Sequence, residues 1–169
     1  MFDKNIDAYL ILSEANRRYF TGIDTSFGLV LLTEREKIFF TDFRYESYAR
    51  KELSDFTVIT VKFSELYEFA ARELKKLGVT TVGYEENHIT VGEFSALQSA
   101  LNGFSLVPAS GALALKRAVK TEEEISKIEN SQRIAEKALA KVIPLIKPGV
   151  TEREISAELT FVMLQSGAD

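Results

Sequence analysis

A change in hydrophobic period along the chain constrains the fold most. Between residues 6 and 107, short apolar or β-branched runs alternate with stretches whose apolar residues recur every three or four positions. After residue 110 only the helical period continues. Strands that alternate with helices are typical of an α/β domain. The sequence therefore predicts an α/β domain with a mixed sheet flanked by helices, followed by a purely helical segment.

The first part of the chain contains six predicted strands with helices between them. The apolar and β-branched runs predict strands over residues 6–12, 27–33, 37–41, 56–61, 80–84 and 104–107. The second and third strands are joined by three polar residues, which indicates a β-hairpin. Helices are predicted over residues 14–20, 43–53, 64–77 and 90–101. We expect Ser13 and Asp42 to cap the first two helices and Ser64 to open the third.

A strong helix-start signal at Thr121 divides the chain. The Thr121 side chain can accept a backbone N–H while Glu124, three residues on, reaches back to the N–H of Thr121. A second capping box begins at Thr151, and Pro144 is expected to loosen the end of the helix between them. We predict a domain over residues 1–115 and, over 116–169, a linker with two further helices.

Composition narrows the classes of partner. The formal net charge is −4, and Lys and Arg are scattered among acids, which argues against nucleic acid or an anionic membrane as main partner. The absence of cysteine excludes disulfides and thiol catalysis and fits a reducing cytoplasm. The first residues lack the pattern of a signal peptide, and the longest nearly apolar run, 27–32, is too short to cross a bilayer. We expect a soluble cytoplasmic protein.

The residues by themselves do not supply a complete active site. His88 is the single histidine and follows Glu85 and Glu86, but one imidazole without a thiolate does not make a zinc site. A solvated loop histidine is the favoured interpretation, and a site built from carboxylates alone remains open. The sequence lacks both a G-x-S-x-G motif and a phosphate-binding glycine motif. Asp42 and Arg44 are expected to form a surface ion pair. We assign neither a catalytic residue nor a metal ligand in this chain.

Three ordered stretches resemble the creatinase/prolidase family, particularly Xaa-Pro aminopeptidases and Xaa-Pro dipeptidases. The first is 16–22 (NRRYFTG), followed by SFG at 26–28. The second is 40–45 (FTDFRY), and the third is 116–125 (KRAVKTEEEI), which continues to the last residue. The resemblance implies a creatinase/prolidase N-terminal domain followed by the first helices of a "pita-bread" catalytic domain.

The same resemblance implies an activity that this chain does not hold by itself. Family members use two divalent metal ions (Mn, Co or Zn) to cleave the bond before proline in proline-containing peptides, and they are commonly homodimers. The metal ligands, two Asp, one His and two Glu, are expected beyond Asp169, and His88 does not match the family's histidine. The chain is thus expected to be a truncated fragment that is inactive alone.

The loop between the first helix and the hairpin is the candidate wall of the active site. By resemblance, Asp24, Thr25, Ser26 and Phe27 limit substrate length and exclude water, and Asp24 meets the free amine of the peptide. A simple connecting loop is the equally weighted alternative.

Two other functions remain open at this stage. A creatine amidinohydrolase uses the same architecture without needing the metals. A non-catalytic module for dimerisation or partner binding is suggested by apolar stripes over 125–146 and 155–163.

Overall fold

The chain forms two compact units. The structure is a computed structural model that describes residues 5–168. The first unit is Met1–Ala118 and the second is Val119–Asp169. Among residues 5–168, the structure contains no helix that is both long and apolar enough to cross a membrane.

The first unit is built on a mixed six-stranded sheet. Its strands are β1 (Ala8–Ile11), β2 (Leu29–Thr33), β3 (Lys37–Thr41), β4 (Thr57–Thr60), β5 (Thr81–Tyr84) and β6 (Ser105–Pro108). Their order in the sheet is β4-β3-β2-β1-β5-β6. Strand β2 is antiparallel to both of its neighbours, and the other pairs are parallel. Five strands therefore end at one edge of the sheet, which we call the carboxyl edge, and β2 begins there. The predicted mixed sheet and hairpin are confirmed.

Helices cover both faces of this sheet. They are α1 (Glu14–Thr21), α2 (Glu46–Glu52), α3 (Leu66–Lys76), α4 (Val91–Ala100) and α5 (Ser110–Ala118). Successive residues of a strand point to opposite faces. Leu10 belongs to the core that contains buried residues of α3 and α4, whereas Tyr9 and Ile11 belong to the core that contains buried residues of α2 and α5. Burial on both faces explains why β1 is an apolar run without alternation.

The predicted start of the second helix is wrong. Helix α2 begins at Glu46, and its N-cap Tyr45 makes no capping hydrogen bond through its side chain. Asp42 Oδ1 instead accepts a hydrogen bond from Arg44 N at 3.0 Å, and Asp42 Oδ2 accepts one from Arg44 Nε at 2.9 Å. An aspartate that bonds the backbone two residues on forms a turn, which competes with a helix start. The predicted ion pair between Asp42 and Arg44 is confirmed at 2.7 Å.

Of two other predicted helix starts, one is confirmed and one is wrong. Ser13 caps α1 by accepting a hydrogen bond from Asn16 N at 3.3 Å, as predicted. Ser64 does not open α3, because it lies in a 3₁₀ turn over Phe63–Glu65 and the helix begins at Leu66.

The second unit consists of α6 (Glu122–Val142), a 3₁₀ turn (Ile143–Leu145) and α7 (Glu152–Gln165). The capping box at Thr121 is confirmed: Glu124 N donates to Thr121 Oγ1 at 3.2 Å, and Thr121 N donates to Glu124 Oε2 at 2.8 Å. The box at Thr151 is formed in the same way. Helix α6 ends just before Pro144, as expected for a residue without a backbone N–H.

The close packing of Gly28, at the start of β2, against Phe39 and Phe40 leads to a testable prediction. A Cβ atom at Gly28 would lie 2.7 Å from Cε2 of the buried Phe39 ring and 3.0 Å from the Phe40 carbonyl oxygen. We expect Gly28→Ala to lower the free energy of unfolding of the chain by about 1–3 kcal/mol in urea denaturation followed by circular dichroism. Gly92→Ala is the control, since nothing lies within 4 Å of its Cβ and alanine favours a helix. Equal stability of the two variants would contradict this packing.

Candidate functional site

The loop over residues 22–28, the edge loop, lies at the carboxyl edge of the sheet. It leaves α1 at Gly22, whose φ of 77° suits glycine and whose N–H donates to the Arg18 carbonyl at 2.7 Å. It then enters β2, which runs opposite to β1. Helix α1 follows the end of β1 at this edge, and β2 begins at the same edge. The loop connects the two.

Hydrogen bonds from helix α1, from strand β3 and from the turn before α2 hold the edge loop. Arg17 Nη2 of α1 donates to the Thr25 carbonyl oxygen at 2.6 Å. The hydroxyls of Ser26 and Tyr45 lie 2.8 Å apart, and Ser26 N donates to Tyr45 Oη at 3.3 Å. Thr41 Oγ1 of β3 donates to the Phe27 carbonyl oxygen at 3.4 Å. Three consecutive loop residues are thus bound to the rigid part of the unit.

The four predicted wall residues have different surroundings. Thr25 is buried, so its side chain is packed into the unit rather than offered to a ligand. Asp24 is exposed and forms an ion pair with Arg18 at 3.0 Å, with both side chains more than half exposed. An exposed ion pair contributes little to stability, so the Asp24 carboxylate can change partners at small cost.

Ser26 and Phe27 line a cleft of about 340 Å³ next to the edge loop. Its walls are mostly apolar and include the rings of Phe27 and Phe63, whose centroids are 5.7 Å apart. The charged or titratable residues in the lining are Arg17, Tyr67, His88 and Glu93. A few polar groups in an apolar cleft of this size are typical of small-ligand sites. His88 is exposed, as expected for a solvated loop histidine.

A buried carboxylate that is not predicted from the sequence lies at the same edge. Glu85 follows β5 directly and is only 2% exposed. Its Oε2 accepts hydrogen bonds from the backbone amides of Leu12 and Ser13, the latter at 2.7 Å. Its Oε1 accepts from Ser13 Oγ and from Asn16 Nδ2, each at 2.5 Å. Four donors offset the cost of removing a carboxylate from water. In the sequence Glu85 stands out only as a neighbour of His88, because a polar residue after a strand does not by itself indicate that it will be buried.

Arg17 is the second buried charged side chain of this edge and is 7% exposed. Its guanidinium donates to the carbonyl oxygens of Leu12 and Thr25. Burial lowers the pKa of Arg17, and the nearby charges of Glu14 and Glu85 act in the opposite direction. Arg17 therefore links the end of β1 to the edge loop.

The metal pair implied by the resemblance does not fit the described residues. Among residues 5–168, the structure brings together no group of three or more His, Asp or Glu side chains that could hold a metal ion. The two carboxylates beside His88 have other partners. Glu86 Oε2 accepts from the backbone amides of Ala109 and Ser110 at 3.0 and 2.9 Å. Partial desolvation of Glu86 raises its pKa, but the hydrogen bonds from Ser110, from its own backbone and from Ala109 together lower the pKa below its usual value.

Family models match nearly the whole chain in two successive segments. Residues 1–119 match the Creatinase/Prolidase N-terminal domain, and residues 126–169 match Metallopeptidase family M24. The first match alone covers more than half of the chain. The chain therefore belongs to the creatinase/prolidase family.

Individual relatives agree with this assignment. The chain is 33% identical to an uncharacterized peptidase of Bacillus subtilis over 97% of its own length and 46% of that protein. It is 31% identical to an Xaa-Pro dipeptidase of Pyrococcus horikoshii, over 99% of this chain and 46% of that one. The structure of an Xaa-Pro dipeptidase from Bacillus anthracis superposes with a TM-score of 0.89 at 32% identity, over 96% of this chain and 45% of that one. The chain thus spans about half the length of the curated relatives it matches.

The contact between Ser26 and Tyr45 makes a second testable prediction. Hydrogen bonds from Ser26, first through its side chain and then through its backbone, lower the pKa of Tyr45 by stabilising the phenolate. We expect Ser26→Ala to raise the pKa of Tyr45 toward the ordinary value of about 10. The measurement is an NMR titration of tyrosine labelled with ¹³C at Cζ. Tyr67 is the internal control, because burial is what raises its pKa. An unchanged pKa of Tyr45 would show that the edge loop is not held in this way in solution.

Proposed function

We propose that this chain is the N-terminal portion of a metal-dependent, proline-specific exopeptidase that cleaves Xaa-Pro bonds. The observation that carries the proposal is the ordered pair of family matches, an N-terminal domain over 1–119 and then a metallopeptidase segment over 126–169. The names of the relatives, which include Xaa-Pro dipeptidases, supply the substrate class. Residues 1–115 are then the α/β domain, and residues 116–169 are the linker and first helices of the catalytic domain.

In this proposal the chain shapes the active site and the chemistry takes place elsewhere. Two divalent metal ions (Mn, Co or Zn) supply the activated water of the reaction and are bound outside residues 5–168. The protein is a cytoplasmic homodimer, and the edge loop closes the substrate site against water and against longer peptides. This role of the loop is supported by the hydrogen bonds that Arg17, Thr41 and Tyr45 make to it. A wall that selects peptides by their length must keep its shape.

Asp24 is the residue of this wall that meets the free amine of the peptide. Its carboxylate is exposed and its present partner is the exposed Arg18. A peptide ammonium group can share or replace that ion pair at small cost. A charge-assisted hydrogen bond to the amine then distinguishes a free N-terminus from an internal peptide bond.

The first experiment assays the protein encoded by the complete reading frame beside the 169-residue chain. The substrates are an Xaa-Pro dipeptide, an Xaa-Pro tripeptide, matched Xaa-Ala peptides and creatine, each with Mn²⁺, Co²⁺, Zn²⁺ or a chelator. We expect the complete protein to hydrolyse Xaa-Pro bonds only with metal, and the 169-residue chain to be inactive. Hydrolysis of creatine without Xaa-Pro cleavage, or no hydrolysis at all, would overturn the proposed activity. Robust turnover by the 169-residue chain would overturn its description as a fragment.

Asp24→Asn in the complete enzyme tests the role of the edge loop. We expect KM for peptides with a free amine to rise about tenfold with kcat little changed, because one charged contact to the substrate is lost. Asp55→Asn is the matched control: Asp55 is also exposed and also paired, with Lys37 at 2.6 Å, but it lies near the opposite edge of the sheet. Equal kinetics for the wild-type enzyme and both variants would remove Asp24 from the substrate site.

A further inference from the structure

The edge loop depends on a buried carboxylate that is far away in sequence. Glu85 accepts hydrogen bonds from Leu12, Ser13 and Asn16, which lie 69 to 73 residues before it. These three residues carry the chain out of β1 and into the first turn of α1. The backbone amides at a helix start have no partners within the helix, so an outside acceptor fixes where the helix begins.

Ser13 connects the carboxylate to the helix itself. Its hydroxyl donates to Glu85 Oε1 at 2.5 Å and accepts from Asn16 N at 3.3 Å, as the N-cap of α1. Asn16 donates its side-chain amide to the same carboxylate oxygen. Glu85 therefore holds both the cap and the first turn of α1 in one orientation.

Arg17, the next residue of α1, links the orientation of the helix to the position of the edge loop. Arg17 bridges two carbonyl oxygens, that of Leu12 at the end of β1 and that of Thr25 in the edge loop. Both Arg17 and Thr25 are buried, so water cannot replace the hydrogen bond between them if the guanidinium group turns away. A rotation of α1 would move Thr25 and with it the neighbouring Asp24.

We propose that Glu85, acting through α1 and Arg17, is a positioning residue for the edge loop and for the recognition of the substrate amine by Asp24. Its role in substrate recognition rests on the proposed function; its role in ordering the loop does not. The charge of Glu85 is required because all four of its partners donate. A glutamine would place a donor opposite Ser13 and Asn16 or opposite the two backbone amides.

The kinetic test compares Glu85→Gln with Glu86→Gln in the complete enzyme. The two variants make the same chemical change at adjacent positions, but the backbone amides that donate to Glu86 are those of Ala109 and Ser110 at the start of α5, rather than those at the start of α1. We expect Glu85→Gln to raise KM about tenfold with kcat within about twofold, and Glu86→Gln to leave both unchanged. Equal effects of the two variants, or a fall in kcat alone, would contradict a positioning role.

A double variant tests whether Glu85 acts through the edge loop. If it does, adding Glu85→Gln to Asp24→Asn raises KM by less than about twofold, because the contact that Glu85 positions is already lost. Full additivity of the two effects would show that Glu85 acts by another route, such as general destabilisation.

Hydrogen exchange of the 169-residue chain separates this proposal from the proposed activity. We expect exchange over residues 22–28 to be about tenfold faster in Glu85→Gln and unchanged in Glu86→Gln. Arg17→Lys keeps the charge but replaces the two separate nitrogens that reach Leu12 and Thr25 with a single one, so it should loosen the same segment. It serves as the second variant if Glu85→Gln does not fold. Unchanged exchange of the edge loop in a folded variant overturns the positioning role. An inactive complete protein with faster loop exchange would overturn the proposed activity alone.

Discussion

A buried carboxylate must find hydrogen-bond donors, and this requirement organises the carboxyl edge of the first unit. Strands β1 and β5 are neighbours and parallel, so both end at the same edge. Glu85 follows β5, and the amides of Leu12 and Ser13 follow β1. The sheet therefore places an acceptor next to unpaired amides at a helix start. Glu85 is only 2% exposed, so water cannot replace the hydrogen bonds that these amides donate to its carboxylate. The start of α1 therefore has one favourable position.

The antiparallel direction of β2 places the edge loop beside that cluster. The loop is bound by Arg17 from α1, Thr41 from β3 and Tyr45 from the turn before α2, so its shape follows from the sheet. Asp24 remains exposed on this rigid support. A binding group on a rigid support loses little conformational freedom when a ligand arrives. This combination suits a wall that selects peptides by their free amine, which is the role we propose for it.

The sequence predicted most of this fold because most of its signals are local. Apolar runs marked all six strands, and the capping boxes at Thr121 and Thr151 marked two helix starts to the residue. The wrong helix start at Asp42 has a local cause too, since an aspartate can form a turn with the second residue after it as readily as it caps a helix. Ser64 is the comparable case, in a 3₁₀ turn before α3. The resemblance of three short stretches to the creatinase/prolidase family located the edge loop.

The sequence by itself determined the α/β class, the strand and helix order, the helical second segment and the family to which the chain belongs. These properties depend on periodicity and on motifs that span a few residues. Only the tertiary structure decided the partners of Glu85, the bridge that Arg17 makes, and which residues of the edge loop are exposed. Glu85 and its donors are about seventy residues apart, and a polar residue near a strand end gives no sign of whether it will be buried. Parallel pairing of β1 with β5 brings them together, and that pairing is a property of the folded sheet.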